Sequence, residues 1–189
     1  MRSIRNLRDY PAGLPLVPDE LVEFHAARLL LLLKVCGGTK GKAKGGIDGL
    51  TKLAKLDFFV RYPAFFARAC AERGAPVPTV LPAVESNMVR HHYGPWDHRY
   101  YHVLAYLEGK GLVRVTRDGT KPFRFQLTEK GAGAAEQLGA QGPFQELMEQ
   151  MKRVRTVLGG ESGTALKELI YRLFDQEVAA RKLGEVIEE

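Results

Sequence analysis

Between Trp96 and Thr128 the chain changes its apolar period twice within about thirty residues, and few folds accommodate that order. Trp96, Tyr100, Val103, Leu104 and Leu107 recur at helical spacing and stop at Gly109-Lys110-Gly111. Leu112 to Arg117 and Phe123 to Thr128 then alternate apolar and polar residues, as half-buried strands do. Asp118-Gly119 between them is a favoured hairpin turn, because both residues tolerate the positive φ it demands. Thr128 is placed to cap a further helix running through Leu138. A helix closed by glycine, a tight hairpin and a capped helix must pack as one unit.

That order is the outline of a winged helix: one helix is presented to the major groove, and a hairpin sets cations on the flanking phosphates. The expected fold class is therefore mainly α with a two-stranded β-wing, a winged helix-turn-helix with extra N- and C-terminal helices. Tyr106-Leu107-Glu108-Gly109-Lys110-Gly111-Leu112-Val113, followed by the LTEKG segment 127–131, resembles the recognition-helix and wing region of the MarR and PadR repressor families. The likeness covers residues 95–138 and specifies fold better than function.

With the apolar stripe inward, His98, Arg99, Tyr101 and His102 fall on the opposite face. Arg99 is expected to read a guanine edge, and its neighbours to donate to phosphates. On the wing, Arg114, Arg117, Lys121 and Arg124 fit phosphate contacts. A competing helix-turn-helix over Leu50–Tyr62 and Ala64–Arg73 offers mostly Phe65, Phe66, Ala67 and Ala71, a surface suited to core packing.

Upstream, Pro11, Gly13, Pro15 and Pro18 make residues 1–18 an extended arm. A helix is expected from Asp19 to about Cys36, apolar nearly all round and therefore buried. Segment 37–46, GGTKGKAKGG, reads as a basic loop in which Lys40, Lys42 and Lys44 contact phosphate. It is no P-loop: the G-x-x-x-x-G-K-[ST] spacing is missing and a helix precedes it where a strand is needed. A helix over 48–62, another over 64–73 and a short one within 84–93 complete the reading, with Pro95 opening the helix of the apolar stripe.

Gly49 to Pro63, together with Val84-Glu85-Ser86-Asn87-Met88-Val89-Arg90 and Tyr93-Gly94-Pro95-Trp96-Asp97, is similar to the middle components of bacterial three-component ABC-ATPase systems, over a span of roughly residues 20–138. Those are small winged-helix proteins that work beside an SMC-like or ABC-type ATPase, some in anti-phage defence of the Lamassu kind. The resemblance implies a DNA-contacting accessory subunit docked on the ATPase. A homodimeric MarR/PadR-like transcription regulator is the alternative.

Beyond residue 138 the character changes. Residues 1–128 carry 20 Lys and Arg against 11 Asp and Glu, whereas residues 129–189 carry 8 against 11, within an overall net charge of +6. Helices are expected over 143–158 and 164–183. Their stripes must bury either on the long N-terminal helix or on a partner. The second option is preferred, with Leu166, Leu169, Ile170, Leu173 and Phe174 as the partner-binding face. The domain reading is thus an arm at 1–18, a winged-helix domain at 19–138 and a docking region at 139–189.

Other chemistries have weak sequence support. His98 and His102 share the i, i+4 spacing of zinc ligands, but no HExxH or CxxC accompanies them and Cys36 and Cys70 are isolated. His91-His92 beside Glu85 lack a nucleophile motif. Trp96 and Tyr93 could form a base-stacking platform, but a Trp at the start of an amphipathic helix suits a core anchor better. The expectation is a non-enzymatic protein without metal, cofactor or small-molecule substrate. The longest apolar run, Leu29–Leu33, is far short of a membrane span, and no apolar segment follows Arg2, Arg5 and Arg8 as an export signal requires. A cytoplasmic protein contacting double-stranded DNA is expected.

Overall fold

A computed structural model describes residues 21–38, 45–78 and 87–188. The chain is mainly helical with a small antiparallel sheet and a separate β-hairpin. Two helices form its centre. Helix α1 (Val22–Cys36) buries Leu29 through Leu33 without interruption, and α2 (Leu50–Arg61) buries every residue from Leu53 to Arg61. Helices apolar on all sides need covering on all sides, and the rest of the chain supplies that cover.

Pro63 ends α2, since its ring cannot continue the hydrogen-bond ladder, and occupies the first turn of α3 (Pro63–Glu72). A short hairpin follows, β2 (Val89–His91) against β3 (Gly94–Trp96). Helix α4 (Tyr100–Gly109) leads into β4 (Val113–Thr116) and β5 (Arg124–Leu127), which pair with Val115 opposite Phe125. Helices α5 (Glu129–Gly139), α6 (Gln145–Leu158) and α7 (Gly163–Leu173) complete the chain, with a π-helical turn at Asp175–Ala179.

The α4–β4 and β5–α5 junctions explain their own sequence. Gly111 has φ +68°, which only glycine adopts without strain. Thr128 Oγ1 donates to the Gly111 carbonyl at 2.7 Å and accepts from the Gly131 amide at 2.9 Å, capping α5. A Cβ on Gly131 would sit 1.8 Å from the Leu112 carbonyl oxygen, so the LTEKG glycine is a packing requirement. Gly119 in the hairpin turn has φ +55°, whereas Asp118 does not take the positive φ expected of it, and the connection between the strands spans residues 117–123.

Several expectations need correction. The wing has a third strand: β1 (Gly46–Asp48) pairs with β5, Ile47 opposite Phe125, giving the order β1-β5-β4. A three-residue strand with one apolar residue carries no period of its own; β5 creates it. Pro95 lies in β3, paired with Arg90, and α4 starts only at Tyr100. The short helix expected within 84–93 is replaced, over its described part, by the β2–β3 hairpin. The helix expected to run to Leu183 stops at Leu173, where Phe174 leaves helical geometry.

The largest correction concerns the C-terminal third. Helix α6 packs on α1 and α2, and α7 packs on α2. Leu166, Leu169, Ile170 and Phe174 are buried in the protein's own core, and Leu173 packs against it. Phe174 meets Phe65 at 4.6 Å between ring centres and also touches Phe58 and Phe59. The proposed partner face is therefore an internal face. Residues 139–188 are not a separate appendage, because α6 and α7 cover the buried central helices. The arm, Asp19, and Lys40, Lys42 and Lys44 lie outside the described residues. Among those described, no helix is long and apolar enough to cross a membrane.

Candidate nucleic-acid interface

Helix α4 buries Tyr100, Val103, Leu104 and Leu107, as its stripe predicts. His98, just before it, and Tyr101, His102, Ala105 and Glu108 along it are exposed. Among the described residues Tyr101 is the most open large apolar side chain, with 67% of its surface accessible. Glu108 is turned to the sheet, accepting from the Val115 amide at 3.0 Å.

Arg99 does not point out as a groove reader. Its Nε and one terminal nitrogen grip the two oxygens of Asp97, each at 2.8 Å. Its other terminal nitrogen lies 2.9 Å from His25 Nε2. It belongs to a buried network under the start of α4. Arg61 donates to Asp97 at 2.7 Å, Arg28 donates to Asp57 at 2.9 Å, and the Tyr100 hydroxyl donates to Asp57 at 2.7 Å. His25 Nδ1 lies 3.0 Å from Arg28. A neutral imidazole accepts at one nitrogen only, so His25 accepts from one of its two arginines at a time.

Burial would raise the Asp97 pKa, but hydrogen bonds from Arg99 and the charge of Arg61 overcome it and hold the carboxyl well below the usual range. Burial, reinforced by the Asp57 carboxylate, pushes the Tyr100 hydroxyl well up. Asp97 thus stays ionised and Tyr100 stays protonated as a donor. The network ties α1, α2 and α4 together and fixes the helix that carries Tyr101 and His102.

The wing is different. Arg114 is exposed on β4. Arg117 donates to the Lys121 carbonyl at 3.2 Å and lies 5.1 Å over the Phe123 ring. Lys121 pairs with Asp118 at 2.6 Å, and Arg124 pairs with Asp48 of β1 at 2.6 Å. Two of the four expected wing contacts are therefore held by neighbouring carboxylates, in exposed pairs of the kind worth little. Sequence reasoning passed over Lys110 and Lys130, at the end of α4 and the start of α5. The Lys130 ammonium donates to the Lys110 carbonyl at 2.9 Å, and the Lys110 ammonium lies 5.4 Å from the centre of the Tyr106 ring.

Cys36 is buried, and burial pushes its thiol up to about 12, which leaves it protonated and unreactive at neutral pH. Among the described residues no group of three or more His, Cys, Asp or Glu is placed to hold a metal ion. Neither a protein-family profile, nor a curated protein, nor a solved structure matches the chain.

Proposed function

We propose that this chain is a non-enzymatic, winged-helix, duplex-DNA-contacting protein that serves as an accessory subunit of an SMC- or ABC-type ATPase. The observation that carries the DNA half is the order of elements. A helix ending in Gly109-Lys110-Gly111 runs directly into a sheet of order β1-β5-β4, which exposes Arg114 on β4 and Arg117 at the start of the β4–β5 turn. In that arrangement Tyr101 and His102 face the groove, and Arg114, Arg117, Lys110 and Lys130 lie along the phosphates.

The accessory half rests on the resemblance of segments 49–63, 84–90 and 93–97. The C-terminal helical stripes are buried within one chain, so a second copy or an ATPase would have to dock elsewhere on the surface. Two measurements test the proposal. The protein is expected to bind a mixed-sequence duplex with steep salt dependence, and an affinity-tagged chain is expected to carry an ATPase out of its native host. No duplex binding at low salt rejects the DNA half. A stable homodimer selecting one palindromic site over random duplex rejects the accessory half.

A further inference from the structure

The two ends of the glycine-lysine segment close on each other beside a cavity. The Gly45 amide donates to the Gly38 carbonyl at 2.8 Å, and the Gly38 amide donates to the Gly46 carbonyl at 3.0 Å. Gly45 has φ +64°, so the crossing is a bulge that glycine forms without strain. The end of α1, strand β1, the first turn of α2 and the end of α6 surround about 340 Å³ at this crossing. That volume is within the range of small-ligand sites. Arg155, Asp48 and Gly160 line it and are exposed, so the cavity opens to solvent.

Lys52 and Arg155 set its charge. Lys52, half-buried on α2, donates to the Gly159 carbonyl at 2.9 Å and keeps two further N–H donors. Arg155 stands in the last turn of α6 and, among the described residues, forms no ion pair. Both lie near Cys36: burial pushes its thiol up, and the charges of Arg155 and Lys52 oppose that push. Asp48, the carboxylate among the described lining residues, is already held by Arg124 at 2.6 and 2.9 Å. The bracketed sequence TKGKAK, residues 39–44, adds three lysines and no carboxylate.

The backbone contributes as well. Strand β1 is bonded to the β5 side through the Gly45 carbonyl and the Gly49 amide. By the two-residue alternation of a strand, Gly46 and Asp48 turn their peptide groups to the other edge. On that edge Gly46 accepts from Gly38, and the Asp48 N–H is left as a donor at the cavity wall. Gly37 has a packing reason to be glycine, since a Cβ there would sit 2.6 Å from the Gly46 amide nitrogen. Gly160 has none: a Cβ there would meet nothing within 4 Å, so glycine leaves that wall clear.

We propose that this cavity binds the phosphate group of a small phosphate monoester, held by Lys52 and Arg155. The Arg155 fork and the remaining Lys52 donors suit a multiply charged oxyanion with several acceptor oxygens. The cavity is larger than a phosphate group needs, which leaves room for the organic body of the ester. This inference goes beyond the duplex reading and does not depend on it.

Thermal unfolding of the full chain tests it at neutral pH, with sodium phosphate and adenosine monophosphate as probes against sodium chloride at equal ionic strength. Either probe at about 20 mM is expected to raise Tm by about 3 °C or more through preferential binding to the folded state, and adenosine alone is not. The rise is expected to disappear in Arg155→Gln, which removes an exposed side chain, and in Gly160→Asp, which sets a carboxylate on the clear wall. The general salting effect of phosphate acts equally on the variants, so an equal rise in both variants overturns the proposal. No rise with either probe in the parent protein also overturns it. Duplex affinity of the same variants identifies the source of the phosphate. Affinity lost together with the phosphate response identifies a nucleic-acid phosphate; affinity retained while that response is lost identifies a free ester.

Discussion

Three arginines lie beneath the start of α4 and three lie on the wing, and the same residue type does opposite work in the two places. Arg28, Arg61 and Arg99 hold Asp57 and Asp97 and, through them, the orientation of α4. Arg114, Arg117 and Arg124 stand at the surface, held at most by a carbonyl or an exposed carboxylate. A basic surplus in a sequence therefore says little until burial is known. Charges that leave water must be paired, and removing one partner strands the other; charges that remain in water are available to a polyanion.

The comparison breaks most visibly at Asp57. Asp57→Ala leaves Arg28 and the Tyr100 hydroxyl buried without their acceptor, and a loss of about 3–5 kcal/mol in urea unfolding is expected. An effect below about 1 kcal/mol would mean the network is looser than its geometry.

Lys55 gives the next effect, through pH. Its native pKa of about 7 lies below its unfolded value, so between those values the unfolded chain binds more protons and stability rises with pH. A gain of about 2 kcal/mol from pH 7 to 9 is expected from this group. Lys55→Met should flatten that rise, and a parent curve already flat over this window would contradict the assignment.

Arg99→Ala separates the two readings of that residue. A structural role predicts a loss of about 1–3 kcal/mol in stability, while duplex affinity of the folded variant changes less than twofold or so. A large affinity loss at unchanged stability would restore Arg99 as a groove reader. Asp48→Asn is expected to do least. It frees Arg124 from an exposed pair, so stability stays within about 0.5 kcal/mol and duplex binding at low salt tightens slightly. Weaker binding would show that Asp48 positions Arg124 for its contact.

Much of the local structure was legible in the residues. The stripe of α4, the Asp118-Gly119 turn and the Thr128 cap each rest on interactions within a few positions, which sequence spacing displays. The amphipathic character of α6 and α7 was equally plain, but a stripe states that a face is buried and not against what. The clue to their location lay elsewhere: α1 is apolar nearly all round and could not be covered by the hairpin unit alone. The polar network was hidden for a different reason. His25, Asp57 and Asp97 are far apart in the chain, and only folding brings them to Arg28, Arg61 and Arg99. A signal did exist in the charged Arg28, Lys55 and Asp57 set within otherwise apolar helices, where a charge must find a partner. Strands β1 to β3, three residues each, depend on their pairing and have no period to read.

In the proposed duplex-contacting role the wing, and not the buried network, meets the phosphate backbone. The most direct measurement is duplex affinity against salt for the parent protein and for Arg114→Ala/Arg117→Ala. The predicted result is weaker binding with a log–log slope shallower by about one for each phosphate contact removed, and an unfolding curve unchanged within about 0.5 kcal/mol. An unchanged affinity and slope in that folded variant would contradict it.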